Sequence, residues 1–350
     1  MTSAHPQEDI RIFHKECISL ASAGYETYQV SCGRTYEKNN VHLVGVGEQQ
    51  SGRLSRMVKS AKKVYKAAVK IDADIYHFHD PELLPYGLKL KRAGKHVIFD
   101  SHEDVPAQIM DKTWIPAPLR KAVSGFYKAY ETHIVKHLDA VVTATPHIAE
   151  SFGGRCKKVI VVNNFPKLDD IVFNENLFSE REPIVCYVGG IDELRGEKIM
   201  IEAMKDAEGQ LVIAGEHEKM NIGKGIRFIG KISRAEVNKL FRASRAGIVI
   251  YQPAANHMEA QPNKMFEYMA AGLPVVASDF PLWKKIVEEN ECGISVDPMN
   301  PQEVRSACME LIHDPKKAQQ LGRNGRIAVD KKYNWTNEEK VLIQLYNSFD

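Results

Sequence analysis

Across 350 residues, 47 lysines and arginines meet 45 aspartates and glutamates, so the length suffices for two domains and the +2 charge excludes a wholly basic, nucleic-acid-binding surface. No run of about 18 apolar residues offers a membrane-spanning helix, and MTSAHPQEDIRIF lacks the basic and apolar segments of a secretory signal. Cys17, Cys32, Cys156, Cys186, Cys292 and Cys308 lie far apart with no C-x-x-C pair, which argues against a zinc or disulfide framework and for reduced thiols in a cytosolic protein.

Short apolar runs alternate with longer amphipathic stretches. VHLVGV from Val41, DIYHF from Asp74, HVIFD from His96, AVVTAT from Ala140 and KVIVVNN from Lys158 read as strands. Helical patterns lie between them over Leu54–Lys70, Glu82–Ala93 and Leu119–Leu138. This βαβ rhythm predicts a parallel sheet covered by helices on both faces. The polar, irregular stretch from Asn163 to Pro183 then interrupts it. The rhythm restarts with PIVCYVGG, a helix from Glu197, QLVIAG, IRFIGK, a helix from Arg234 and AGIVIYQ. A helix at Asn263, PVVAS, GISVDP and a mostly helical stretch from Pro301 complete it. The expected division is 1–165, a linker at 166–182, 183–334, and a C-terminal helix at 335–350 that packs back on the N-terminal half. Two doubly wound, Rossmann-like halves predict a ligand cleft where their strand ends face each other.

EAQPNKMFEYMAAGLPVVAS, from Glu259, carries the sharpest chemistry. Asn263 reads as the N-cap of a helix whose apolar stripe is Met265, Phe266, Met269 and Ala270. A helix start offers unpaired N–H groups and partial positive charge, and Lys264 adds a formal one, so an anion such as a diphosphate fits. Glu267 is placed to hold a ribose diol, and Glu259 to face whatever the diphosphate carries. Both glutamates could instead only complement the helix dipole. In YVGGIDELRGEKIMIEAM, Gly189 and Gly190 follow a buried strand, and Arg195 precedes a helix. Glycines admit a phosphate to the backbone and arginine can pair with it, although an ordinary tight turn reads the same way. Neither a G-x-x-x-x-G-K-[ST] nor a G-x-G-x-x-G motif is present.

Tyr187–Ala203, LVIAG…IRFIG, Glu259–Ser278 and GISVDP together resemble the C-terminal half of glycosyltransferase family 4, retaining enzymes of GT-B architecture. DIRIFHKECISLASAGYE from Asp9, HFHDPELLPYGLKLKRAGKHVIFDSHE from His77 and VVNNFP from Val161 are similar to one bacterial branch of that family. The resemblance spans nearly the whole chain, and PNKMFEYMAAGLPVV behind Glu259 is its most specific part. It implies transfer of a sugar from a nucleotide diphosphate, of uridine or guanosine type, to a glycan or lipid-linked acceptor in surface polysaccharide assembly, with no other cofactor. It implies that Glu267 binds the ribose and that Glu259 contacts the donor sugar. Pro262, Asn263 and Lys264 would hold the diphosphate with Arg195, which stands where members usually have lysine. His102, in DSHE, would reach the donor sugar, and Lys231 and Ile232, near Glu216, would meet the base. The sequence departs from the family at Gly190, where many members carry arginine, and at Met1, which directly precedes TSAHP where members have a first strand.

The cationic pocket stands in for a metal, and no Asp-x-Asp sits at a suitable strand end, so a metal-independent reaction is expected. Two alternatives stay open. One is a nucleotide-sugar epimerase on the same scaffold; the other is a metal-dependent hydrolase using His77 and His79. The helix from Arg53 to Lys70 carries seven cations and no acid opposite an apolar face. It reads as a solvated helix or as a dock for anionic membrane, which would put the protein at the cytoplasmic side of the bilayer.

Overall fold

The computed structural model describes residues 1–48, 52, 56–112, 115–173, 178–216 and 224–349. Two compact units result, Met1–Asn164 with Thr336–Asp350, and Phe165–Trp335.

In the first unit, β1 (Thr27–Ser31), β2 (Tyr36–Lys38) and β3 (Val41–Gly45) form one sheet in the order β1-β3-β2. The parallel sheet β4-β5-β6-β7 comprises Ile75–Phe78, His96–Ser101, Ala140–Thr143 and Val159–Val161. β2 runs antiparallel to β3, a departure from the all-parallel expectation. Asn39 and Asn40 explain it: both have positive φ, 52° and 59°, as a two-residue hairpin turn requires. β1 and β2 also escaped the sequence reading: in β1 Gln29 and Ser31 are polar yet buried, and β2 is only three residues long with none of them buried. Met1 and Thr2 lie between the sheets, with Thr2 N–H donating to Val30 (3.0 Å) and the Met1 amine to His77 (2.7 Å).

Of the expected basic helix, a π-type turn at Arg56–Ser60 and an α-helix at Ala61–Ile71 are present; Arg53 and Leu54 lie outside the described residues. Ala61, Val64 and Ala68 face inward, Lys62, Lys63, Lys66 and Lys70 outward. The last helix, Trp335–Asn347, returns to the first unit from Thr336 onward. There the Glu338 carboxylate accepts the Asn163 N–H at 2.7 Å, and the Tyr346 hydroxyl lies 3.0 Å from His77 Nδ1.

Among its described residues the second unit holds six parallel strands: β8 (Ile184–Val188), β9 (Gln210–Ala214), β10 (Ile226–Phe228), β11 (Ala246–Val249), β12 (Val275–Ser278) and β13 (Gly293–Val296). Their order is β10-β9-β8-β11-β12-β13. The chain winds outward from β8 to β10, then returns to the other side of β8 as β11. Between β8 and β11 lies the switch point, where ligands of such sheets bind beyond the strand ends. Buried Tyr187, Phe241, Phe266, Tyr268 and Trp283 fill the core, and Gly247 gives Tyr268 its place, since a Cβ there would lie 2.3 Å from the ring. The stretch read as a linker, 166–182, lies within this unit and buries Ile171 and Phe178.

Candidate active site

Beyond the ends of β8 and β11 in the second unit, an open pocket of about 350 Å³ is lined by Gly189, Gly190, Arg195, Tyr251, Gln261, Asn263 and Lys264. β8 delivers Gly189 at φ 121°, where a Cβ would stand 3.3 Å from Lys264 Nζ. At Gly190 a Cβ would stand 3.0 Å from the Arg195 guanidinium. Side chains here would fill the space between backbone and cations. The Asp192 carboxylate accepts the Arg195 N–H at 2.8 Å and pairs with its guanidinium at 3.1 Å, which fixes the short 3₁₀ turn Glu193–Arg195. Gly196, at φ 79°, then packs so tightly on the Ile250 carbonyl that a Cβ would lie 1.8 Å from it.

The opposite wall is the start of the helix Asn263–Ala270. Its N-cap is Pro262, not Asn263 as expected, and no side chain caps it. Proline pre-sets the entry conformation, φ −69° and ψ 121°, and leaves the first N–H groups to face the pocket uncapped. Lys264 Nζ sits 3.6 Å from the Tyr187 ring centroid and 5.4 Å from that of Tyr251. Burial, then repulsion by Arg195, lowers its pKa to about 7, against the pull of Glu267 and Asp192. The pocket therefore gathers anion-binding groups: a lysine, an arginine and the N–H groups of a helix start.

Glu267, one turn in, accepts from Arg234 at 2.8 Å; the residue proposed for ribose already has a cationic neighbour. Glu259 follows the short helix Ala255–Met258, half-buried, and makes no hydrogen bond or ion pair among the described residues. It is not on the pocket wall. Glu216 and Lys231 are exposed and 3.7 Å apart, while Ile232 packs partly on the core; none of the three lines the pocket. The sequence reading missed Tyr251, Gln261 and Arg234. Tyr251 could have been found, because AGIVIYQ ends there and strand ends at a switch point carry ligand contacts.

His102, in the first unit, follows β5 with Nδ1 3.6 Å from Asp100 and packs edge-on to His5 at 5.0 Å. Beneath it lies a buried polar cluster. Arg11 reaches Asp100 at 2.7 Å and Glu16 at 3.0 Å. Ligand-type atoms of Glu16, His77, His79 and Asp100 all fall within 4.8 Å of one another. The two imidazoles stack 4.9 Å apart at 21°, with His77 Nε2 3.8 Å and His79 Nδ1 3.9 Å from the Asp100 oxygen that Arg11 also holds. Burial lowers His77 to about 3, so this ring stays neutral.

Residues 14–169 match the family described as Glycosyltransferase Family 4, and residues 169–328 that described as Glycosyl transferases group 1. The glycogen synthase of Mycobacterium tuberculosis is 23% identical over 257 residues, which is 67% of this chain and 59% of that protein. The chain spans about half the length of the curated relatives it matches, 45% and 59% for the first two. Among solved structures, sucrose-phosphate synthase from Thermosynechococcus elongatus superposes with a TM-score of 0.76 at 18% identity, covering 95% of this chain and 91% of that one. Anabaena HepE in complex with UDP-glucose gives 0.67 at 14% identity, covering 89% and 87%.

Proposed function

The chain belongs to the family 4-like glycosyltransferases and has their GT-B fold of two Rossmann-like domains, and from that premise we propose that it moves a sugar from a nucleoside-diphosphate sugar to a hydroxyl. The observation that carries the reading is Lys264 beside Arg195 at an uncapped helix start, beyond the switch point of the second unit's sheet. A leaving diphosphate gains negative charge as the glycosidic bond breaks, and preorganised cations and N–H groups stabilise it. The transfer keeps the anomeric configuration: the departing phosphate oxygen takes the acceptor proton, and no second carboxylate is needed at glycosidase spacing. Glu267 holds the ribose, sharing it with Arg234; Glu259 and His102 meet the donor sugar. The neighbour HepE was solved with UDP-glucose, which makes a uridine donor the first choice. The acceptor is a glycan or lipid-linked glycan of bacterial surface polysaccharide assembly, reached from the cytoplasmic face of the membrane, and the basic helix ending at Lys70 contacts that surface.

A thermal-shift panel of UDP, GDP and their sugars tests the donor. A ligand at one hundred times its Kd adds about 2.7 kcal/mol of stability, so the true donor stands out and an inert panel overturns the assignment. Glu267→Ala is expected to weaken donor binding by about 1.5–3 kcal/mol, the worth of hydrogen bonds to a charged group, and titration calorimetry with UDP reads it. Activity is expected to survive a chelator in full. Proton NMR of the product separates a retained anomer from an inverted one, and from the epimer an epimerase would release.

A further inference from the structure

Tyr187, the fourth residue of β8, is fully buried yet touches both walls of the pocket. Its hydroxyl donates to the Gly190 carbonyl at 2.7 Å, and its ring centroid lies 3.6 Å from Lys264 Nζ. Tyr187 is not itself on the pocket lining, so it acts through the residues that are. The turn it meets is closed on two other sides. Gly189 N–H donates to the Ala214 carbonyl at 2.8 Å, and a Cβ on Gly215 would lie 2.1 Å from the Gly189 carbonyl oxygen.

The charged groups around Lys264 are Arg195 and Asp192 from the 3₁₀ turn and Glu267 from its own helix; Tyr251, just beyond β11, stands 5.4 Å away. Both carboxylates are already engaged, Asp192 by Arg195 at 3.1 Å and Glu267 by Arg234 at 2.8 Å. The close contact left to the lysine is the Tyr187 ring. A π face attracts an ammonium without neutralising it. A carboxylate in that place would compete with an incoming anion, whereas the ring fixes where the charge stands and leaves it for the anion.

We propose that Tyr187 is a positioning residue for the diphosphate: its ring holds the Lys264 ammonium over the pocket as an unneutralised charge, and its hydroxyl locks the Gly189–Gly190 turn that the phosphates approach. The inference rests on the donor reading above, since it needs a diphosphate on Lys264, and one of its two readouts uses no nucleotide.

Lys264 is titrated by NMR of the carbon beside its amine in isotope-labelled protein, assigned with Lys264→Arg, and UDP affinity is measured by calorimetry. In Tyr187→Phe the ring remains and the hydroxyl is gone. The lysine midpoint should stay at the parent's, about 7, while UDP affinity at about pH 6 should fall about three- to tenfold, the worth of one hydrogen bond. Trifluorophenylalanine at the same position keeps the shape and weakens the π face. The midpoint should then drop by about half a unit to one unit, and the pH above which UDP affinity declines should drop with it. Both replacements fill the parent's volume, so the packing of β8 is kept. A midpoint that is the same with and without the fluorines overturns the proposal for the ring. Undiminished UDP binding by Tyr187→Phe overturns it for the hydroxyl. If UDP does not bind the parent, the donor reading fails, and the titration alone still decides whether the ring holds the lysine.

Discussion

Replacing Lys264 with alanine is expected to lower kcat by about 10²–10³, the range for removing one preorganised donor to a developing oxyanion. Lys264 is held above the Tyr187 ring, half-buried beside Arg195, and among the described residues no carboxylate pairs with it. The protein alone stabilises its charge poorly, since burial and then Arg195 lower its pKa to about 7. A bound diphosphate supplies the missing counter-charge and draws the proton back. The sign follows. Above pH 7 the free pocket holds mostly neutral lysine, while the complex still needs it charged. Affinity for UDP should therefore fall as pH rises above about 7, by up to about tenfold per unit, since one pKa unit is worth about 1.36 kcal/mol. Calorimetry at about pH 8 in buffers of different ionisation enthalpy should report net proton uptake on binding. In Lys264→Ala both the slope and the uptake should disappear, and Lys264→Arg should keep the charge while losing the pH dependence. A pH-independent affinity in the parent would mean that the phosphate does not sit on this lysine.

The second unit was the more legible half, for a physical reason. Its strands are buried on both faces, so AGIVIYQ and PVVAS read as continuous apolar runs, and the glycines and helix start that follow them mark the pocket. What periodicity cannot carry is contact between loops. Arg234 meets Glu267 across 33 residues, and nothing in either segment announces the partner. Tyr251 and Gln261 reach the pocket because the fold brings two loop ends together. Asn263 was read as the cap because its side chain suits one, yet the fixed φ of Pro262 set the boundary one residue earlier. β1 was hidden in the first unit because Gln29 and Ser31 spend their polarity inside, Gln29 donating to the Gln7 carbonyl at 2.7 Å. The cluster around Arg11 was invisible too: 89 residues separate it from Asp100.

Arg11→Met should destabilise the first unit by about 3–5 kcal/mol, the cost of leaving a buried ion without its partner. Arg11 is 5% exposed; its guanidinium donates to Asp100 at 2.7 and 3.2 Å and to the Val162 carbonyl at 2.9 Å, and lies 3.0 Å from Glu16. Burial alone would raise Asp100, but Arg11 carries it well below the usual carboxylate value. Glu16 moves the other way: burial and then the Asp100 charge raise it well above its ordinary value. The cluster thus favours the ionised form of Asp100 and the protonated form of Glu16, which makes Arg11 chiefly the counter-ion of Asp100. In the variant that counter-ion is gone, and Asp100 must protonate or draw in water. The parent's share from Asp100 is present above the ordinary carboxylate pKa, about 3.9, and fades as pH falls through its lower folded value. In Arg11→Met that share is lost already at neutral pH, so the variant's deficit should shrink on acidification. Arg11→Met with Asp100→Asn should recover much of the loss, because removing both partners of a buried pair is often close to neutral. Hydrogen exchange at β5, His96–Ser101, reads the first unit alone, and the UDP-induced shift reads the second. If the single variant exchanges no faster at β5 than the parent, Arg11 is not what holds these acids in the core.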